Sequence, residues 1–194
     1  MKPHPSSLIE LLSNSDDDLA RLAVRDSAAF AELYHRHFQR VYRFLLVYSG
    51  DVTDAQDLTT QTFLAALEGI STFRGDSSIG TWLLGIARNK AAMLFRSRKR
   101  EFPLESAGEI QDPSPSPETA VLKRLQFVRV VESIHLLTPE RAEAIVLYLF
   151  ADLSAAEAGQ VMNKSQAAVK MLVLRGLRDL RAQLRPIQEV ENEC

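Results

Sequence analysis

Residues 153–177, LSAAEAGQVMNKSQAAVKMLVLRGL, decide the fold of their half of the chain. Ser154 can cap a first helix, with Glu157 closing a capping box, and Ser165 can cap a second helix. Asn163, between the two, suits the left-handed backbone of a tight turn. We therefore predict a helix-turn-helix, the motif that can place its second helix in a DNA groove.

The second helix of this pair has two distinct faces when its residues are counted at about 100° each. The face toward the domain core carries Val169, Val173, Gly176, Leu177, Leu180 and Leu184. The opposite face carries Ala167, Met171, Leu174, Arg175 and Arg178, with Lys170 and Arg181 at its flank. Gln166, at the start of the helix, joins Ala167, Lys170, Met171, Leu174, Arg175 and Arg178 in the set that is predicted to contact DNA. The basic side chains can bind phosphates, which positions a helix without reading sequence. Met171 and Leu174 can contact a thymine methyl group but offer no bidentate hydrogen bond to a base. Three roles therefore remain open for Met171 and Leu174: they read DNA, they contact another protein, or they are buried under another part of the chain.

Helix start signals recur through the rest of the chain, with little sign of strands. Capping residues begin helical segments at Ser15, Asp26, Thr53 and Thr138, and several of them are followed three residues later by an acid or amide. Apolar residues between positions 30 and 45 recur at helical spacing and indicate a core face. The predicted fold class is all-α.

A proline-rich stretch divides the chain. Residues 101–120, EFPLESAGEIQDPSPSPETA, contain four prolines and almost no apolar periodicity. We predict two small helical domains, residues 16–100 and 119–186, joined by a flexible linker at residues 101–118.

The predicted helix at residues 52–70 is acidic, since residues 51–68 hold four acidic side chains and no basic one. Helical spacing directs Ala55, Leu58, Phe63 and Leu67 inward, and it directs Asp54, Asp57 and Gln61 to an outer strip. Such a strip can dock on a basic surface of a partner.

The next helix is basic, since residues 81–100 hold six basic side chains and no acidic one. Its predicted apolar stripe is Ile79, Trp82, Leu83, Ile86 and Met93. Arg88, Asn89, Arg96 and Lys99 lie away from that stripe. This positive potential can attract nucleic acid, and Phe73 and Arg74 in the preceding loop can hold unstacked bases.

The overall composition argues against several classes of protein. The 194 residues carry 23 basic and 25 acidic side chains, so the charged segments are local features of a chain with a net charge of −2. The single cysteine, Cys194, excludes an internal disulfide and a cysteine-rich metal site. We find no phosphate-binding loop or catalytic spacing, and expect neither an enzyme nor a bound cofactor or metal. With no export signal and no long apolar run, we expect no membrane insertion and a cytoplasmic location.

Four stretches together resemble the extracytoplasmic-function group of bacterial sigma factors, within the sigma-70 family. They are AFAELYHRHFQRVYRFL, DAQDLTTQTFLAAL, FRG followed by TWLLGIARNKAAMLFRSRKR, and LTPERAEAIVLYLFADLSAAEAGQVMNKSQAAVK after the linker. The resemblance covers about residues 26–184. It implies a non-catalytic subunit that gives RNA polymerase its choice of promoter.

The resemblance also implies roles for individual residues. The helix with Asp54, Asp57, Leu58, Gln61 and Phe63 would dock on core RNA polymerase. Arg74, Arg88, Asn89 and Arg96 would bind the minus-10 strand, with Phe73 near a flipped base, and Lys99 belongs to the wider predicted DNA-binding set. The linker would run toward the active-site cleft and RNA exit path, and Lys170, Arg175 and Arg178 would meet minus-35 promoter DNA. An anti-sigma factor is a possible further partner.

Two other hypotheses compete with this one. A stand-alone helix-turn-helix regulator would bind DNA without polymerase, and would leave the acidic helix unexplained. A sigma-like interaction module would use the altered face around Met171 for protein contact in place of minus-35 reading.

Overall fold

The computed structural model describes residues 13–101 and 117–184, apart from the side chains of residues 95–101 and 117–124. Every regular element in these ranges is helical, as predicted. The N-terminal half contains α1 (Asp16–Ala23), α2 (Ser27–Ser49), α3 (Val52–Gly69), a 3₁₀ turn (Ile70–Thr72) and α4 (Ile79–Glu101). The C-terminal half contains α5 (Pro117–His135), α6 (Pro139–Ile145), a π-helical turn (Val146–Phe150), α7 (Ala155–Met162) and α8 (Gln166–Leu184).

Most helices begin where the capping signals predict. The Asp26 carboxylate accepts a hydrogen bond from the Ala28 amide at 2.9 Å and starts α2. The predicted start at Thr53 is wrong, because Asp51 caps α3 by accepting from the Asp54 amide at 2.8 Å. Asp is a better N-cap than Thr, so the helix begins two residues earlier.

Helix α2 is the centre of the N-terminal domain, with α1, α3 and α4 packed around it. Its buried face includes Leu33, Val41 and Phe44. It ends at Gly50, whose φ of 72° lies in the left-handed region that glycine adopts without steric cost.

The C-terminal domain is built around the buried face of α8, which packs against α6, α7 and α5. Val169, Val173, Gly176 and Leu180 are buried on that face, and Leu177 and Leu184 are partly buried beside them, as predicted. The two predicted helical domains are thus both present.

The two domains are in direct contact. Helix α2 packs on the π-helical turn, α4 packs on α7, and the buried side chains of both domains form one continuous cluster. Residues 102–116, most of the predicted 101–118 linker, lie outside the described residues, while Glu101 ends α4 and Pro117 begins α5. In the described part of the chain, no helix is both long and apolar enough to cross a membrane.

Candidate nucleic-acid interface

The helix-turn-helix has the local geometry that its sequence predicts. Ser154 Oγ accepts from the Glu157 amide at 3.3 Å, and Glu157 Oε2 accepts from the Ser154 amide at 2.9 Å, which completes the capping box of α7. Asn163 turns the chain in the left-handed region with φ 54° and ψ 45°. Ser165 Oγ then accepts from the Ala168 amide at 3.2 Å at the start of α8.

A close backbone contact fixes the angle between α7 and α8. The Lys164 amide donates to the Gly159 carbonyl at 2.9 Å. A Cβ atom at Gly159 would lie 2.6 Å from the Lys164 carbonyl oxygen, so only glycine fits. Gly159 was not among the residues predicted to shape the motif, although a glycine inside a short helix is a signal of such a contact.

The outer face of α8 is open to solvent. The exposed residues are Gln166, Ala167, Lys170, Met171, Leu174, Arg175 and Arg178, the predicted set. Met171 and Leu174 keep 46% and 54% of their surface exposed, so no described part of the chain covers them. Asp179, the acidic residue of α8, is paired with Arg141 at 2.5 Å, which leaves the outer face cationic.

Helix α4 is buried on a broader face than predicted. Ile79 and Leu83 point inward as expected, but Met93 is 62% exposed and its inward placement is wrong. Ala87 and Ala91 are fully buried instead. The reason is that α4 is packed against α2 and α3 on one side and α7 on another, so small residues at the close approaches belong to the core.

The loop before α4 places one aromatic ring against another. Phe73 is half-buried and its ring lies 5.4 Å from that of Trp82, at an angle of 54°. Arg74 beside it is exposed. A base that stacks on Phe73 would therefore meet a partly covered ring that is already supported by the protein.

Arg88 was predicted to lie on the open face of α4, but its side chain is held by the C-terminal domain. Its Nε donates to Glu143 Oε1 of α6, and its Nη2 donates to Glu143 Oε2 at 3.4 Å. The side chains of Arg88 and Glu143 are 29% and 11% exposed. The hydrogen bond that Arg88 donates to Glu143 raises the pKa of the Arg88 guanidinium, so Arg88 is charged at any physiological pH.

Asn89, next to Arg88, is exposed and lies in a groove of about 310 Å³ between the domains. Trp82 and Arg88 line its α4 side, and Gln160 and Asn163 line its helix-turn-helix side. The side chains of Arg96 and Lys99, also predicted to bind DNA, lie outside the described residues.

The acidic helix exposes a different strip from the one predicted. Asp54 is only 7% exposed, so its outward placement is wrong, and Leu58 and Phe63 are buried in the core. Asp57 and Gln61 are exposed as predicted. Leu67, predicted to point inward, is 46% exposed, and Leu64 is 55% exposed beside it. A partner of α3 would thus meet a mixed acidic and apolar surface, with Asp54, Leu58 and Phe63 supporting it from below.

No group of three or more His, Cys, Asp or Glu side chains suited to a metal ion occurs among the residues that the structure describes. The exposed residues described above instead form three separate surfaces. One lies on α3, one lies on α8, and one lies at the α4 groove between the domains.

Comparisons with known proteins match both halves of the chain. The family model for sigma-70 region 2 matches residues 33–101, and that for sigma-70 region 4 matches residues 127–180. The ECF RNA polymerase sigma factor BldN of Streptomyces coelicolor is 36% identical over 178 residues, which cover 86% of this chain and 67% of that protein. The sigma factor CnrH of Cupriavidus metallidurans is 30% identical, with 90% of this chain and 94% of CnrH covered.

Solved structures agree with the sequence comparisons. The structure of CnrH in complex with the cytosolic domain of CnrY superposes with a TM-score of 0.71 at 27% identity, covering 88% of this chain and 97% of that one. The sigma factor RpoE from Bartonella quintana, in complex with the anti-sigma factor NepR, shares the fold with a TM-score of 0.69 at 21% identity. The chain therefore belongs to the extracytoplasmic-function group of sigma-70 family RNA polymerase sigma factors.

Proposed function

We propose that this sigma factor binds core RNA polymerase through the α3 surface, the minus-10 strand through α4 and its preceding loop, and minus-35 DNA through α8. It acts by binding alone, without a catalytic step or cofactor, in the cytoplasm where polymerase works. The observation that carries the proposal is the open cationic face of α8 in a fully formed helix-turn-helix, in a chain whose other half matches sigma-70 region 2.

The polymerase contact is supported by the mixed surface of α3. Asp57 and Gln61 supply polar contacts, and Leu64 and Leu67 supply exposed apolar area. Apolar area surrounded by polar groups is typical of a protein interface. The buried members of the predicted set, Asp54, Leu58 and Phe63, act by holding α3 in place.

The minus-10 contact is supported by the chemistry around α4. Asn89 offers hydrogen bonds from an open groove, Arg74 offers an exposed cation, and Phe73 offers a ring for stacking. Arg88 belongs to the same face once its bond to Glu143 is broken, and Arg96 and Lys99 extend the set along α4.

The minus-35 contact is supported by α8. Lys170, Arg175 and Arg178 are exposed cations of α8, and they bind phosphates at the rims of a major groove in this proposal. Met171 and Leu174 lie between them and can contact thymine methyl groups on the groove floor. Two weak DNA contacts on one chain become strong together when polymerase holds both domains in place.

An anti-sigma factor is a further proposed partner. CnrH was solved with the cytosolic domain of CnrY, and the Bartonella quintana RpoE with the anti-sigma factor NepR. We extend that kind of partnership to this chain as a hypothesis that pull-down from its native cells can test.

The test of the polymerase contact is equilibrium binding of the labelled full chain to purified core polymerase. The double variant Asp57→Arg/Gln61→Arg replaces one acidic and one neutral exposed side chain of α3 by cations. It should weaken binding at least tenfold, since it places like charges together against a basic partner surface. Glu132→Arg makes the same kind of charge change at an exposed position of α5 and should leave binding unchanged. Equal binding by all three proteins would contradict the docking surface. A stand-alone regulator would bind promoter DNA as tightly without polymerase as with it.

A further inference from the structure

The outer face of α8 combines an apolar patch with cations along one strip. Met171 and Leu174 are 46% and 54% exposed and lie one turn apart, so they form a contiguous patch. The strip continues to the C-terminal end of the helix through exposed basic side chains, at Arg175, Arg178 and Arg181. Within the described residues, no ion pair joins these arginines or Lys170 to a carboxylate. The face therefore offers apolar area together with positive charge that no described acid neutralises.

The residues that follow α8 in the sequence have the complementary chemistry. Residues 185–194, RPIQEVENEC, are called the acidic segment because they carry Glu189, Glu191 and Glu193. Ile187 and Val190 add two branched apolar side chains to the same segment. The acidic segment thus matches the outer face of α8 in both respects, with acids for the cations and apolar side chains for the patch.

The acidic segment is long enough to reach the whole strip. Pro186 disfavours a helical conformation at Arg185, so the chain can leave the axis of α8 directly after Leu184. Met171 lies thirteen residues before Leu184, which is about 20 Å along a helix at 1.5 Å per residue. Ten extended residues span up to about 33 Å. The return path from the end of α8 to Met171 therefore falls within the reach of the segment.

Direct attachment to α8 makes a weak contact sufficient. Exposed ion pairs are individually weak, because water and salt screen them. A segment joined to its own binding surface nevertheless acts at a local concentration on the order of millimolar. The same contact shields Met171 and Leu174 from water, which no described part of the chain does.

We infer that the acidic segment binds back along the outer face of α8, with its acids on the cations and its apolar side chains on the patch of Met171 and Leu174. The contact itself involves no DNA. Its consequence rests on the proposed function: where α8 binds minus-35 DNA, the carboxylates occupy the places of phosphates, and segment and DNA compete. Because only chains with an uncovered α8 bind the duplex, the segment lowers the affinity of α8 for DNA.

The first experiment uses the single cysteine of the chain, Cys194, which lies in the acidic segment. A nitroxide spin label on Cys194 of the full chain broadens the NMR signals of nearby methyl groups. With isotopically labelled methionine methyl groups, Met171 reports on the outer face of α8. Met93, which is 62% exposed on α4, is the internal control. Broadening should be stronger at Met171 than at Met93 at low salt, and the difference should decline as the salt concentration rises.

The second experiment removes the charges of the segment. The variant Glu189→Gln/Glu191→Gln/Glu193→Gln should abolish the preferential broadening of Met171. Without the spin label, it should bind a fluorescent DNA duplex of randomised sequence about tenfold more tightly than the wild type, the change that several exposed ion pairs give together.

A matched control separates this effect from the change in net charge. The variant Asp17→Asn/Glu68→Gln/Glu132→Gln also removes three acids, at exposed positions of other helices. It should keep the preferential broadening of Met171 and should bind the duplex with nearly the wild-type affinity.

The inference is overturned if Met171 is broadened no more than Met93, or if the preference persists in the Glu189→Gln/Glu191→Gln/Glu193→Gln variant. It is also overturned if a second copy of the chain supplies the segment. That case is detected by mixing spin-labelled chains with isotopically labelled Cys194→Ser chains, which should show no preferential broadening of Met171. If the wild type and both variants fail to bind the duplex, the minus-35 contact of the proposed function is wrong, while the NMR result still decides whether the acidic segment binds α8.

Discussion

The same substitution at two helical glycines is predicted to have opposite effects on stability. In an α-helix, Gly→Ala normally stabilises by about 1 kcal/mol, because alanine loses less backbone entropy on folding. At Gly85 of α4 nothing lies within 4 Å of the new Cβ atom, so that gain should be realised. At Gly159 of α7 the Cβ atom would lie 2.6 Å from the backbone oxygen of Lys164, which cannot turn aside as a side chain can.

The clash at Gly159 should cost about 2–3 kcal/mol, the upper part of the range for overpacking, and so exceed the helical gain by about 1–2 kcal/mol. For a chain of this size a change of 1 kcal/mol moves the Tm by roughly 2–4 °C. Gly159→Ala should therefore lower the Tm by about 2–8 °C, and Gly85→Ala should raise it by roughly 1–4 °C. Thermal unfolding followed by far-ultraviolet circular dichroism measures both. If Gly159→Ala is as stable as Gly85→Ala, the tight α7–α8 turn described above is incorrect.

Three further predictions concern capping, pH and base reading. Ser154→Ala removes the cap of α7 and should lower the free energy of unfolding by about 1 kcal/mol in urea titrations, and an unchanged midpoint would contradict the capping box. Burial lowers the pKa of His37 despite its contact with Asp16 at 2.8 Å, so the neutral ring is favoured in the fold. The contribution of neutral His37 to stability is then complete above the ordinary pKa of about 6.5 and is lost as the pH falls below that value. His37→Gln should flatten the dependence of the free energy of unfolding on pH in this range. An unaltered slope in the variant would contradict this role of His37. Replacing thymidine by deoxyuridine in a minus-35 duplex should weaken wild-type binding about fourfold per contacted methyl, from ~0.8 kcal/mol for each buried methyl. Met171→Ala/Leu174→Ala should abolish that difference, and equal binding of both duplexes by the wild type would assign these side chains to a protein contact.

Features set by local sequence were predictable. The two faces of α8 follow from one-sided packing, so helical counting places Val173 inside and Met171 outside correctly. The turn at Asn163 and the caps at Ser154 and Ser165 depend on residues within three positions of each other, and they form as predicted.

Features set by packing between elements were not predictable in the same way. Met93 and Asp54 were misplaced because α4 and α3 each contact several helices, which widens and rotates the buried face relative to a single apolar stripe. The Arg88 pair with Glu143 joins residues 55 positions apart, across the proline-rich stretch. Nothing in the local pattern around either residue indicates the other.

The most direct test of the central claim is transcription by core polymerase reconstituted with this chain on a pool of randomised promoters. We predict transcripts that depend on the added chain and start downstream of two enriched elements, one at minus-10 and one at minus-35. The variant Asp57→Arg/Gln61→Arg should remove these transcripts, and Met171→Ala/Leu174→Ala should change only the minus-35 element. Transcription that is no greater with the chain than without it, or that enriches no promoter element, would contradict the account.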